Sequence, residues 1–242
     1  MPPIGSFYKA IAMFKTQTIL TTYFDYAKFS FKQRGFMQSL KIWISECYYI
    51  VLLGDFSVSL SEPFPQYTST EYRAKGYLPY QASYYKFLRK ALLDLLKLQL
   101  IPQQSTFIDI GAGKGKVVKF ASLFGFKKVI GIEIEEKFLR IAEKKISLFK
   151  KKYNQNNITL YKMDAVYYIP EEKIDVVFLY NPVRKKALEL ILNNFINSSV
   201  APKFIVYLNP VAKKVIEAIG YSAKISFTTG LYKEYTIFEY TK

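Results

Sequence analysis

Three glycines within five residues, Gly111, Gly113 and Gly115, follow the apolar run Phe107-Ile108-Asp109-Ile110. Such spacing lets the chain turn sharply and lets a ligand approach the backbone where a side chain would stand in the way. A helix starting after the loop would offer unpaired N–H groups to a polar or anionic ligand. Alone, the motif also fits a tight turn with no ligand. Polar residues recur at matching points further on. Asp109 comes just before the loop, Glu133 about twenty residues after it, and Asp164 and Asn181-Pro182 follow. An acidic residue at the place of Glu133 typically accepts hydrogen bonds from ribose hydroxyls. Each has a plainer account. Glu133 could be a helix-capping charge, Asp164 a turn cap, and Asn181-Pro182 an ordinary strand-ending turn. Together they mark the ends of four successive apolar segments, and open α/β sheets bind ligands outside the carboxyl ends of their strands.

The elements that must position these residues follow from hydrophobic periodicity. Gln81 to Leu98 reads as a helix with a broad apolar face, stopped by Pro102. Strands are expected at Phe107–Ile110, Lys128–Ile132, Ile158–Lys162, Ile174–Tyr180 and Lys203–Leu208. Helices are expected between them at 116–124, 135–153 and 185–198, and after the last at 212–219. Two alternating strands, Ala223–Thr228 and Glu234–Tyr240, close the chain around Thr229-Gly230. The alternation predicts an α/β fold. Its sheet is doubly wound, seven-stranded and mostly parallel, with an antiparallel last strand. Residues 1–70 have a different texture, aromatic and basic, with helices expected at Ala10–Phe36 and Gln38–Leu53. A Ser/Pro/Thr-rich connection, Ser57 to Thr70, divides this helical N-terminal extension or cap from a domain over 71–242.

Composition narrows the chemistry. The chain has no histidine and a single cysteine, Cys47. The usual zinc ligand sets and Ser-His-Asp or Cys-His catalysis are therefore excluded, and no metal is expected. No intramolecular disulfide can form, which fits a reducing, cytoplasmic compartment. The first residues do not begin a secretory signal. The longest uninterrupted apolar stretch, Cys47 to Leu53, is far short of the ~20 residues that cross a bilayer. Thirty-five Lys and Arg against 19 Asp and Glu leave a net charge of +16, which favours acidic partners: nucleic acid, an anionic membrane or an acidic protein surface.

The ordered set Phe107 to Gly115, Val129-Ile130-Gly131-Ile132-Glu133, Met163-Asp164-Ala165 and Leu179-Tyr180-Asn181-Pro182 resembles the class I S-adenosylmethionine (SAM)-dependent methyltransferases. The resemblance covers residues 71 to 242. It implies a Rossmann-like sheet and SAM as cofactor. It further implies that Asp109, Gly111, Ala112, Gly113 and Gly115 hold the methionine part, Glu133 and Ile134 the ribose, and Asp164 and Ala165 the adenine. More narrowly, the chain is similar to a branch related to the non-SET protein-lysine methyltransferases, including histone-methylating ones. That likeness lies in Tyr77-Leu78-Pro79-Tyr80, Phe178 to Pro182 and Tyr207-Leu208-Asn209-Pro210. Relatives carry Thr or Ser where this chain has Tyr80, which would reach SAM from the upstream segment. A glycine loop of G-x-G-x-x-G spacing, as in dehydrogenases, is not present.

The acceptor follows from the last of these segments. Asn181 and the carbonyls near Pro182 could accept from an amine, and Tyr180 could line its path. The resemblance to protein-lysine methyltransferases implies a protein substrate with the amine on a lysine, and the positive charge favours an acidic one. RNA or DNA methylation stays open, as does a non-catalytic SAM-binding module acting through its basic surface. The runs Lys150-Lys151-Lys152 and Arg184-Lys185-Lys186 read first as solvated helix faces, though the second lies where it could steer an acidic substrate. The N-terminal helices read as a cap or substrate-selecting lid, and peripheral membrane contact is open for them.

Overall fold

Side chains alternate across a strand, so each apolar run supplies both faces of a sheet. The computed structural model describes residue 28 and residues 30–53, 76–78, 82–198, 201–230 and 232–241. Its strands are Thr106–Ile110 (β1), Lys128–Glu133 (β2), Ile158–Lys162 (β3), Val176–Leu179 (β4), Phe204–Leu208 (β5), Tyr221–Thr229 (β6) and Tyr232–Tyr240 (β7). They form one sheet in the order β3-β2-β1-β4-β5-β7-β6. The first five pair in parallel, and β7 runs antiparallel between β5 and β6. This is the seven-stranded, mostly parallel, Rossmann-like sheet expected from the alternation.

Helices cover both faces. They are Phe36–Leu53 (α1), Tyr85–Lys97 (α2), Lys116–Phe124 (α3), Glu136–Tyr153 (α4), Lys185–Ile196 (α5) and Lys213–Ala218 (α6). Phe107, Val129, Val176 and Phe178 pack on one face with α1 to α4. Ile108, Ile130, Val177 and Ile205 pack on the other with α5 and α6. The two-residue period puts Asp109 on the face of Phe107, and Glu133 on the face of Val129. Strand order reverses at β1, with β2 and β3 to one side and β4 and β5 to the other. The carboxyl ends there form the crevice where such sheets bind ligands.

The N-terminal extension differs from expectation in its boundaries. Of the helix expected at Ala10–Phe36, only Lys28 and residues 30–36 fall among those described, and Lys28 and residues 30–34 are helical. Gly35, at φ 80°, breaks the chain, so Phe36 opens α1 instead of ending the earlier helix. The Ser57–Thr70 connection lies outside the described residues. Helix α2 starts at Tyr85, whose N–H is capped by the Glu46 carboxylate of α1. Strand β4 is shorter than the apolar run, because Asp175 turns its carboxylate to the N–H of Thr106 at 2.9 Å and Tyr180 leads into a turn. The extension is also tied to the end of the chain. Arg34 Nε donates to Glu234 Oε1 at 2.6 Å and Nη2 to Oε2 at 3.1 Å, a buried pair that also takes the Thr229 hydroxyl. The hydroxyl of Tyr235 donates to the buried Asp94 carboxylate of α2. No described helix is long and apolar enough to cross a membrane.

One glycine in mid-strand sets the height of the site above the sheet. A Cβ on Gly131 would lie 2.7 Å from Leu160 Cδ2, 2.9 Å from Ala112 Cβ and 3.0 Å from Val118 Cγ1. Its missing side chain is what lets the glycine loop and α3 settle onto β2. Gly131→Ala should cost about 1–3 kcal/mol by overpacking, read from urea unfolding. Wild-type stability in that variant would mean that the loop does not rest on β2.

Candidate functional site

The loop after β1 is held by the backbone of β2. Gly111 and Ala112 both donate to the Ile132 carbonyl at 2.9 Å. Gly111, Gly113 and Gly115 have φ of 80°, 54° and 78°, left-handed values that any side chain would resist. Glu133 closes the loop from the side. Its Oε2 accepts from Gly113 N at 2.7 Å and its Oε1 from Glu135 N at 2.8 Å. Glu133 thus holds the backbone just before α4 as well as the loop, and the same side chain also lines a cleft.

That cleft encloses about 590 Å³ of atom-free space, its open mouth included. Glu133, Ile134, Phe138, Met163 and Ala165 form one wall, and Tyr77, Tyr180, Asn181 and Pro182 the other. Gly111 lies between them, and a Cβ there would sit 3.0 Å from Pro182 Cβ. A smaller hollow adjoins it at Gly111 and Tyr180, lined also by Ser83, Asp109, Lys116 and Phe178. The structure therefore brings Asp109, Gly111, Ala112, Glu133, Ile134, Ala165, Tyr180, Asn181 and Pro182 around one pair of hollows. Gly113 and Gly115 shape the loop behind them. Asp164 stands beside Ala165 and caps the short 3-10 turn Ala165–Tyr167, its Oδ1 accepting from Val166 N at 2.9 Å. Tyr80 lies outside the described residues.

Several groups at the site escape sequence reasoning. Tyr77 belongs to the quoted upstream segment, yet nothing in the segment says that its hydroxyl donates to Asp164. Its backbone bridges to Val183, Leu78 N donates to the Pro182 carbonyl at 3.1 Å, and Arg184 N to the Gly76 carbonyl at 2.8 Å. The upstream segment thus forms a wall of the cleft by pairing with the Asn181 turn. Lys116, in the first turn of α3, is buried and reaches Glu46 Oε2 at 2.6 Å, with its Nζ 3.8 Å from the centroid of the Tyr85 ring. Glu46 therefore joins α1, the start of α2 and the glycine-loop helix. In the sequence it is only a charge interrupting an apolar stretch.

The turn after β4 is strained. Asn181 has φ 46° although a proline follows, a position where helical backbone is already disfavoured. Asn209, also before a proline, has φ 48°. Asparagine is the side-chain-bearing residue that best tolerates this region. The two turns are linked, since the hydroxyl of buried Tyr207 donates to Asn181 Oδ1 at 2.7 Å. Burial pushes the Tyr207 phenol up to about 12, so it keeps its proton and acts as a donor. The Asn181 oxygen expected to meet an amine already has one partner, as does the Pro182 carbonyl. Each retains a second lone pair.

Two buried carboxyls set the electrostatics of the cleft. Burial, and then the charge of Glu133, raises the Asp109 carboxyl well above its ordinary 3.8. No hydrogen-bond donor among the described residues meets that carboxyl. Burial likewise raises Glu133, with the N–H groups of Glu135 and Gly113 pulling the other way. Ser83 Oγ, lining the same hollow as Asp109, is buried without a partner among the described residues. Buried polar groups are almost always satisfied, so a donor entering this hollow could be accepted by both. A molecule carrying positive charge and hydrogen-bonding ends fits there. The ammonium and sulfonium of SAM meet that requirement.

Comparison with known proteins agrees with this fold. Magnesium protoporphyrin IX methyltransferase (ChlM) from Synechocystis PCC 6803, solved with bound SAM, shares 16% identity over 64% of this chain and 79% of that one, with a TM-score of 0.52. Ribosomal protein L11 methylase from Lactobacillus delbrueckii subsp. bulgaricus shares 14% over 64% and 78%, with a TM-score of 0.50. A protein of the NADB-Rossmann superfamily from Streptococcus agalactiae shares 18% over 66% and 69%, also at 0.50. At such identities the likeness is one of fold. No curated protein matches the sequence. Fold, site and comparisons together define a class I SAM-dependent methyltransferase. The model of the family described as histone methylation protein DOT1 matches residues 70–208, more than half of the chain, and the chain belongs to that family.

Two outcomes follow from the buried charges. A raised carboxyl contributes stability that is full below the ordinary carboxylate range and is lost as pH rises through the raised value. Asp109→Asn should therefore make the ligand-free protein more stable than wild type at neutral pH, by a margin that shrinks on acidification. Thermal unfolding across pH tests this, and a variant less stable at every pH would show that Asp109 has a donor. Glu46→Ala should cost about 3–5 kcal/mol, the range for stranding one member of a buried pair. Lys116→Met in the same chain should restore part of it, and strict additivity of the two losses would mean the pair is not coupled.

Proposed function

We propose that Asp109, Gly111, Ala112, Gly113, Gly115, Glu133, Ile134, Asp164 and Ala165 hold SAM, and that its methyl group passes to an amine, the side chain of a protein lysine. The observation that carries the cofactor assignment is the buried Asp109 carboxyl and the unpartnered Ser83 hydroxyl on one hollow, beside a glycine loop clamped by Glu133. Asp109 would meet the ammonium of the methionine end, with Ser83 alongside. Glu133 would accept from the ribose with the lone pairs that Gly113 and Glu135 leave. Asp164 Oδ2 takes no partner among the described residues and faces the adenine in this reading.

Bound SAM supplies an electrophilic methyl group, so the protein's task is to place a neutral amine in line with it. Asn181, fixed in the left-handed region and held by Tyr207, would present its amide and the carbonyls of its turn to that amine. Tyr180 lines both hollows and would flank the acceptor's path, while Pro182 keeps the turn against Gly111. With no histidine in the chain and Tyr207 held protonated, the amine's proton leaves to water, and these carbonyl acceptors hold the neutral amine by its N–H groups. Helix α1, within the 1–70 extension, serves as a cap on the 71–242 domain. The family's description as a histone methylation protein favours a protein acceptor. The exposed Arg184, Lys185 and Lys186, directly after the Asn181 turn, favour an acidic one. The same three cations support the second reading, an RNA or DNA acceptor, because phosphates would suit them equally.

Calorimetry tests the cofactor site. Asp109→Ala and Glu133→Ala should each weaken SAM binding by roughly ten- to a hundredfold, the worth of a hydrogen bond to a charged group. Unchanged affinity in both would place the site elsewhere. Asn181→Ala should lower turnover far more than SAM affinity. Tritiated SAM with cell extract, divided between protease and nuclease treatment, decides the acceptor. Label that survives nuclease and disappears with protease supports the lysine reading, and the reverse overturns it.

A further inference from the structure

Helix α1 has two apolar faces, and the sheet uses only one of them. Ile42, Ile50 and Leu53 point inward with Glu46. On the opposite side Phe36, Met37, Ile44, Tyr48 and Val51 each keep 60% or more of their surface exposed, with Trp43 beside them at 38%. They recur at helical spacing, so they form one continuous stripe along 18 residues, about 27 Å of helix. An exposed apolar stripe of this extent on a globular protein marks an interaction surface.

The charges around the stripe say what covers it. The only carboxylate of α1 is Glu46, buried and paired with Lys116. The flanks are cationic. Lys41 is exposed on α1 and lies near enough to Lys86 to lower that ammonium's pKa, after burial. Lys86 Nζ donates to Gln38 Oε1 at 3.2 Å, and Lys152 Nζ to the Leu52 carbonyl at 3.2 Å. Arg89 is close enough to act on Tyr49. A second copy of the chain would bring the same cations together, against a net charge of +16 on each. A helix lying in the plane of a bilayer needs apolar and aromatic side chains on one side and cations at its margins. We infer that the outward face of α1 seats the protein on an anionic lipid surface, with Trp43, Tyr48 and Phe36 at headgroup depth and Lys41, Lys86, Arg89 and Lys152 on the phosphates. This surface is independent of how the methyl acceptor is assigned.

Trp43 is the only tryptophan in the chain and stands at the edge of the stripe, its ring 5.6 Å from that of Phe31, so its fluorescence reports on this helix alone. The full chain should show a blue-shifted Trp43 emission with phosphatidylcholine vesicles containing phosphatidylserine, and high salt should reverse the shift. Ile44→Glu with Val51→Glu, both at exposed positions, should weaken vesicle affinity by at least about tenfold, since each charge near the surface counts severalfold. Circular dichroism and SAM binding would verify that this variant is folded. No shift with anionic vesicles overturns the inference, as does an equal shift with phosphatidylcholine alone. A shift that grows with protein concentration in the absence of lipid also overturns it, because the face would then join two copies. Vesicle binding that survives both substitutions in the folded variant would assign the contact to another surface.

Discussion

A carboxylate buried at the end of a central strand has to be matched, and most of the site follows from how this protein matches Glu133. Its two oxygens take N–H groups from opposite directions, one from the glycine loop and one from the start of α4. That requires the loop to return over the end of β2, which in turn requires a left-handed backbone at three glycines and no side chain at Gly131. Once the loop is in that place, Asp109 has its surroundings fixed as well, because β1 carries it directly into the loop. The two acids are then close enough that each one's charge opposes the other's. The fold holds this arrangement without a cation of its own on Asp109. Stability is thus given up locally, a pattern common at binding sites.

The strand ends were legible in the sequence because they coincide with changes of residue type. Apolar runs stop at Asp109, Glu133, Asp164 and Asn181, and a parallel sheet places those stops along one edge. The elements themselves were legible for a similar reason, being bounded by glycine, proline and asparagine. What could not be read are contacts between residues far apart in the chain. Glu46 meets Lys116 across 70 positions, and Tyr77 meets Asp164 across 87. Local pattern contains no term for such distances. Glu46 in particular has the wrong appearance, a lone charge in an apolar stretch, and its meaning depends on a lysine in another helix. Ser83 shows the same limit, since it falls inside the expected helix Gln81–Leu98 and only the packed structure shows its hydroxyl buried beside the loop.

The two Asn-Pro turns illustrate how the parallel strands work as a unit. Each is strained by itself, and each ends a strand beside the other. The phenol of Tyr207, rooted in β5, reaches across to the amide that ends β4. Upstream, the Tyr77 segment adds backbone bonds to the far side of the same turn. The Asn181 turn is therefore braced from both sides by main chain and hydroxyl groups that do not titrate near neutral pH. A rigid rim of this kind can orient an acceptor without a histidine to hold it.

The Arg34–Glu234 pair has a consequence for how the molecule is made. Its two halves are 200 residues apart. Glu234 leaves the ribosome 200 residues after Arg34. The parallel part of the sheet can assemble in the meantime, but the pair cannot close until β7 is laid between β5 and β6. Until then this tie between helix and sheet is missing, and the apolar stripe of α1 is available to whatever surface lies nearby.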